Sequence, residues 1–410
     1  MNRTETTSFP SPVGIDALSV HVPDTFLSLD DLAAARGVPP EKISVGLGSF
    51  EMAVTPPWED TVTIAANAAE KPLRLGQVDP GEIGLLVVGT ETAVDHAKPV
   101  ATFLHELLGL PSACRTFEVK HACYGGTAGV TLAADWVRSP SSRGRKALVV
   151  AADIARYDLG SSAEFTQGAG AAAMVISRDP RLLEIDPQGG VFTRNVYDFW
   201  RPLDRREALV DGKFSIDCYL DALSGATSDF AAAHGLADTS SLLDRFEAML
   251  YHTPFPKMAT KAHQRFAETI GRAADAPDTA RRLVEPWLAM SRRVGNSYTA
   301  SLYLGLAWLA STGGRLEGRE ISLFSYGSGC CAEFFTGRFA PGSHEIARSI
   351  DAAGMLARRS RLSVEEYESF SRAKPGESPG AGPAAGFFLA RVKDDRRLYE
   401  KAGATGAVAA

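Results

Sequence analysis

Cys123, Glu91 and His252 are the side chains whose settings could carry covalent chemistry. Cys123 lies in His121-Ala-Cys-Tyr-Gly-Gly-Thr127, after a predicted strand and before a predicted helix. At a helix N-terminus the dipole favours a thiolate, and Gly125 and Gly126 permit a sharp turn with close approach to a substrate. The competing reading is a buried, inert thiol, the common fate of a free cysteine. Cys114, Cys218, Cys330 and Cys331 read as packing residues. Glu91 closes the apolar run that starts at Ile83. The end of a buried strand is where α/β proteins place their sites, and partial desolvation there makes a carboxylate a useful base. The competing reading is an acid that merely favours a helix dipole, and Asp95 is read that way. His252 lies in Tyr251-His-Thr-Pro-Phe-Pro-Lys-Met258, where Pro254 and Pro256 stiffen the loop presenting one imidazole for acid–base work. A histidine that only hydrogen-bonds is its alternative.

Two glycine-bearing turns, Gly295-Asn-Ser-Tyr-Thr299 and Ser325-Tyr-Gly-Ser-Gly329, could aim backbone N–H groups at a developing oxyanion. The glycines match neither a dinucleotide fingerprint nor a Walker motif, and no histidine pair has HxxxH spacing.

The elements that must position these residues alternate. Predicted strands are Val13 to Val20, Ile83 to Gly89, Arg115 to Val119, Lys146 to Ala152, Ala171 to Ile176 and Glu320 to Phe324. Predicted helices are Asp60 to Leu75, Pro99 to Leu108, Gly126 to Val137, Ser241 to Met249, Lys257 to Ile270 and Ser297 to Ala310. The alternation implies an α/β architecture around buried sheet. Residues 186–227 read as less regular, an insertion covering a site. Residues 1–10 read as a loose arm, Pro375 to Gly386 as a loop, and 402–410 as a frayed end. The 410 residues are 45% hydrophobic and 22% charged, enough for a large core without disulfides or structural metals. Five cysteines without CxxC spacing fit a reducing cytoplasm. No apolar run reaches membrane-span length, the N-terminus lacks a secretory h-region, and a net charge of −6 argues against general nucleic-acid binding.

Taken together and in order, Cys123, His252 and Asn296 resemble the thiolase superfamily, and the chain is similar to the 3-hydroxy-3-methylglutaryl synthase family. The carrying motifs are GTETAVDHAKP (89–99), HACYGGTAG (121–129), ADIARY (152–157), FTQGAGAAAM (165–174), YDFWRP (197–202), YHTPFPKM (251–258), VGNSYTASLY (294–303) and FSYGSG (324–329). The resemblance implies a thiolase fold of two pseudo-symmetric halves with five-stranded mixed sheets in an α-β-α-β-α layering. The halves are 1–180, carrying Glu91 and Cys123, and 181–410, carrying His252 and Asn296 with an insertion near 186–230. It also implies a homodimer. By the same resemblance Cys123 is the nucleophile, Glu91 the base for the acetyl methyl, and His252 the acid at the ketone oxygen. Thr166, Ser215, Lys261, Asn296 and Ser328 fall at substrate contacts, with Asp153, Asp198 and Tyr219 as supports. No metal and no tightly bound cofactor are implied, since the substrates arrive as phosphopantetheine thioesters.

Two branches of the family differ in the thioester carrier. YHTPFPKMATKAH, RYDLGSSAEFTQGAGA and FFLARVKDDRRLYEK lean towards the polyketide branch. There the donor and acceptor ride on acyl carrier proteins and the product is a β-branched intermediate. The alternative is a hydroxymethylglutaryl-CoA synthase of the mevalonate pathway; a ketoacyl synthase III-like enzyme or a non-catalytic thiolase-like protein fits less well, given Glu91. An acidic carrier protein calls for a basic entrance, for which Arg281-Arg282, Arg292-Arg293 and Arg358-Arg359 are candidates.

Overall fold

Runs of Ala, Val, Leu and Ile long enough to be buried on both faces form the spine of the molecule, as expected for strands covered on either side. A computed structural model describes residues 11–205, 207–377 and 382–403. The expected arm 1–10, part of the Pro375–Gly386 loop and most of the C-terminal tail lie outside these residues.

Five strands come from the first half: β1 (Val13–His21), β2 (Ile83–Gly89), β3 (Arg115–Val119), β4 (Lys146–Ala155) and β5 (Gly168–Arg178). Five follow: β6 (Leu183–Ile185), β7 (Gly190–Thr193), β8 (Ala248–Tyr251), β9 (Glu320–Gly327) and β10 (Cys331–Phe339). All ten join one mixed sheet in the order β8-β9-β10-β6-β1-β5-β4-β2-β3, with β7 also on β10. The short β6 is the seam, pairing antiparallel with both β1 and β10. The pairs β2–β4 and β2–β3 are parallel, which puts the C-terminal ends of β2 and β3, and the Glu91 and Cys123 loops that follow them, at the same end of the strands.

Helices cover both faces. Helix α1 (Thr61–Arg74) packs on β1, β4 and β5 and starts at a capping box: the Asp60 carboxylate accepts the Thr63 N–H at 3.1 Å, and the Thr63 hydroxyl receives the Asp60 N–H at 2.9 Å. Helix α2 (Gly125–Arg138) follows Cys123 and packs on β2 and β4. Helices α3 (Gly212–Ala233), α4 (Pro256–Thr269) and α5 (Ser301–Thr312) belong to the second half. A hairpin of Gly386–Lys393 and Arg396–Ala402 lies along α1. Arg397 and Tyr399 from this hairpin reach the Asp60 carboxylate at 2.9 and 2.8 Å. A small sheet of Thr25–Ser28, Glu51–Ala53 and Ser360–Leu362 carries a second core around Leu27, Leu32, Met52 and Leu362. No helix among the described residues is long and apolar enough to cross a membrane.

Several elements differ from the sequence reading, β10 (Cys331–Phe339) among them. Within 186–227, assigned to an irregular cover, residues 212–227 belong to the 22-residue helix α3, whose Cys218, Tyr219, Ala222, Leu223, Ala226 and Phe230 are buried against β7, β10 and α4. Ser241 to Met249, read as one helix, splits into the short turn Leu242–Arg245 and strand β8, because pairing with β9 captures residues 248–251.

Candidate active site

Cys123 sits two residues before α2, on a turn whose left-handed residue is Ala122 at φ 39°. The sequence reading gave that turn to Gly125 and Gly126. A side-chain-bearing residue in this region is strained, and such strain persists where neighbours hold it. Gly327 is one such neighbour: a Cβ there would lie 2.5 Å from the His121 carbonyl oxygen and 2.7 Å from the Tyr124 nitrogen.

The Cys123 thiol donates to Glu91 Oε1 at 3.4 Å. Burial pushes Glu91 up to about 8; the Asp153 charge adds to this, while Arg201 and the thiol hydrogen bond oppose it. The thiol is likewise pushed well above its ordinary value, by burial first and then by Glu91 and Asp153. This corrects the thiolate expected from the helix dipole, since loss of water and two carboxylates outweigh the helix end. The pair is a thiol aimed at a carboxyl group whose ionised form, favoured as pH rises towards 8, can take its proton.

Asp153, at the end of β4, fixes the Glu91 loop. Its Oδ1 accepts the Thr90 hydroxyl at 2.7 Å, the Glu91 N–H at 2.9 Å, and the Thr92 N–H and hydroxyl at 3.0 and 2.6 Å. Its Oδ2 accepts the Thr299 N–H and hydroxyl at 3.1 and 2.7 Å. Burial pushes this carboxyl up and the threonine hydrogen bonds oppose the rise.

His252 continues β8, its N–H bonded to the Phe324 carbonyl at 2.8 Å. It is 3% exposed, and burial lowers it to about 3. Burial thus favours the neutral ring near pH 7. The Tyr219 hydroxyl donates to the His252 carbonyl at 2.8 Å, and its ring lies 5.0 Å from that of Tyr326. Tyr326 donates to Asp198 Oδ2 at 2.6 Å, the Gly329 N–H reaches Asp198 Oδ1 at 2.9 Å, and the Ser215 hydroxyl approaches Oδ2 at 3.4 Å. Asp198 thus ties Ser215 to the turn bearing Ser328 and takes up the Gly329 N–H, one of the donors the sequence offered to an oxyanion.

Asn296 and Thr166 meet at the backbone, the Asn296 N–H on the Thr166 carbonyl at 3.0 Å. Gly295, at φ 81°, makes this possible; a Cβ there would lie 1.9 Å from the Gln167 carbonyl oxygen. Two tyrosines missed by the sequence reading complete the group. The Tyr157 side chain lies beside those of Tyr298 and Thr166, and burial raises both tyrosines above their ordinary value. Arg201, also missed, acts on Glu91. All three lie inside quoted motifs, so position within ADIARY, GNSYT and YDFWRP was the signal that could have found them. Lys261 stands exposed on α4, outside this buried group.

Of the arginines expected at a basic entrance, Arg359 is buried in an ion pair, Arg292 and Arg293 are partly buried in theirs, and Arg281 and Arg358 pair at the exposed surface. Arg359 is 7% exposed and pairs with Glu51, which Arg293 also reaches at 3.0 Å. Arg292 pairs with Glu285, Arg358 with Asp351 at 2.7 Å and Arg281 with Asp278.

Residues 9–180 match the family model described as hydroxymethylglutaryl-coenzyme A synthase N terminal, and residues 184–274 and 267–374 match its C-terminal counterpart. The hydroxymethylglutaryl-CoA synthase of Enterococcus faecalis is 39% identical over 362 residues, covering 87% of this chain and 91% of that protein. The polyketide biosynthesis 3-hydroxy-3-methylglutaryl-ACP synthase PksG of Bacillus subtilis is 36% identical over 371 residues, 87% of each. The solved structure of MvaS with 3-hydroxy-3-methylglutaryl coenzyme A superposes with TM-score 0.92 at 45% identity, over 96% of this chain and all of that one. The curacin pathway HMG synthase with holo donor-ACP gives 0.88 at 34%, over 95% of this chain and all of that one.

Proposed function

The chain belongs to the hydroxymethylglutaryl-coenzyme A synthase family, acyltransferase-type enzymes of thiolase fold that form a carbon–carbon bond, and on that premise we propose that it condenses an acetyl group carried on Cys123 with a β-ketoacyl thioester. The observation that carries this reading is the buried Cys123–Glu91 pair at 3.4 Å. The thiol gives its proton to the Glu91 carboxylate and attacks the donor thioester; the carrier's sulfur leaves and takes that proton from Glu91, so the acetyl group now rests on Sγ and Glu91 is again a carboxylate. Glu91 next removes a proton from the acetyl methyl, and that carbon bonds to the acceptor's ketone carbon. The neutral His252 ring polarises the ketone oxygen, which becomes the tertiary alcohol by gaining one proton. Water then cleaves the Sγ–acyl bond, releasing a carboxylate and restoring the thiol. Thr166, Ser215, Asn296 and Ser328 line this reading as substrate contacts, with Lys261 further out on the exposed face of α4.

For the carrier, the CoA thioester is the first reading. It is supported by the 45% identity to MvaS, whose complex holds 3-hydroxy-3-methylglutaryl coenzyme A, and by the ion pairing of the arginines that an acidic carrier protein would need. The carrier-protein form, towards which the sequence motifs lean, is supported by the 36% identity to PksG. Intact-protein mass spectrometry compares the two donors. Acetylation of Cys123 at least ten times faster from acetyl-CoA than from an acetylated carrier protein supports the first reading, and the reverse supports the second. No adduct from either would end the nucleophile assignment.

A homodimer in the cytoplasm belongs to the same reading. Strand β3 ends the sheet, with one edge unpaired among the described residues, a template for a second copy. All five cysteines are free thiols, which suits a reducing compartment. The division into halves 1–180 and 181–410 is supported by the break between the two family matches.

A further inference from the structure

One buried carboxylate has no part in the chemistry above. Glu333 is 7% exposed in β10, where it lies opposite Ser325 and next to the Ala332–Tyr326 pair of the β9–β10 ladder. Its Oε2 accepts the hydroxyl of Tyr124, the residue after the nucleophile, at 2.7 Å. The Thr131 hydroxyl of α2 stands at 3.4 Å from the same oxygen and 3.5 Å from Oε1. A carboxylate so deep costs stability unless its partners repay it, yet a hydrophobic residue of similar size would satisfy β10 equally well.

What the contact does is join two parts of the site. Tyr124 belongs to the strained turn that begins at Ala122, and β9–β10 carries the 326–329 turn, whose Gly327 already touches the Tyr124 backbone. The Tyr124–Glu333 bond crosses the same boundary through side chains. It fixes how the turn bearing Cys123 sits against the turn bearing Ser328.

We propose that Glu333 is a positioning residue for the Cys123 thiol, acting through Tyr124. This rests on Cys123 being the acetylated residue, and two readouts separate the claims: acetylation by the acetyl thioester, and alkylation of Cys123 by iodoacetamide, which needs no substrate. Replacing Glu333→Leu removes the acceptor and lowers kcat for acetylation about 10- to 100-fold, because small displacements of a reacting atom cost that much. KM for the acetyl thioester stays at its parental value, and alkylation slows as Sγ loses its alignment with Glu91. Glu333→Gln keeps an acceptor oxygen and returns both rates to within about 3-fold of parental. Tyr124→Phe, which leaves Glu333 in place, reproduces the Leu phenotype, and the double variant is no worse than either single. Parental rates in Glu333→Leu, a Gln variant as impaired as Leu, or multiplying losses in the double variant would each overturn the assignment. If the parental protein fails to acetylate, the functional reading falls, while the alkylation rates still decide the role of Glu333.

Discussion

Glu91 is buried beside a second carboxylate, so folding retains a proton there that an unfolded chain releases in the ordinary carboxylate range. Its folded value of about 8 lies above the unfolded one, so the folded state binds the extra proton across that window and loses stability as pH rises through it. Glu91→Gln removes the ionisation. The variant is expected to gain up to a few kcal/mol over the parent, with melting temperatures nearly equal at pH 5 and furthest apart above pH 8. A constant difference across pH would contradict the burial assigned to Glu91. The same substitution separates the chemical steps. Glu91→Gln should acquire an acetyl group on Cys123 more slowly, for want of the acceptor of the thiol proton, and should not condense it at all, whereas Cys123→Ala should do neither. In the parent, single-turnover condensation should rise with pH around a midpoint near 8; a flat profile would assign the base elsewhere. The sequence showed which residues to watch here, and the strand-end setting of Glu91 foretold its raised pKa. It could not show the state of the thiol, because burial and two nearby carboxylates reverse the helix-end effect, and neither is visible in the motif HACYGG.

At the scale of elements, strands of uniform apolar character were legible, and of the mixed segments the short run Arg115-Thr-Phe-Glu-Val119 was read while longer ones were not. Strand β3 matches its sequence bounds, and β2 does too. Helix α3 escaped because its first turn, Gly212-Lys-Phe-Ser215, is mostly exposed and follows a charged loop, while its buried face shows only after β7 and β10 are in place. Strand β10 escaped because Glu333 interrupts its apolar run; its burial needs Tyr124, more than two hundred residues earlier. Asp60 gives an element-scale prediction. It caps α1 and also anchors Arg397 and Tyr399 of the C-terminal hairpin. Asp60→Ala leaves the helix start and both partners unsatisfied, and should cost about 2–4 kcal/mol. Denaturant titration checks this: a loss below about 0.5 kcal/mol would show that the hairpin adds nothing to α1.

The whole molecule is held by two devices that cross its middle, the β6 seam and the Asp153 cluster. Residues 1–180 taken alone would expose the edge of β1 that β6 covers and leave Asp153 without its Thr299 donors. That fragment is therefore expected not to give a cooperative thermal transition by circular dichroism, while the complete chain melts in one step. A fragment 1–180 that unfolds cooperatively would show that the halves are independent folding units.

The span of the Asp153 contacts also sets an order of events during synthesis. Thr299 follows Asp153 by 146 residues, roughly 7 to 30 s at translation rates of about 5–20 residues per second. Throughout that interval the nascent chain already carries Cys123, but the Glu91 loop lacks one side of its clasp. The Glu91 loop is thus fully held beside Cys123 only after the ribosome has passed Thr299, so a shorter nascent chain carries the cysteine without all the contacts that fix its carboxyl partner.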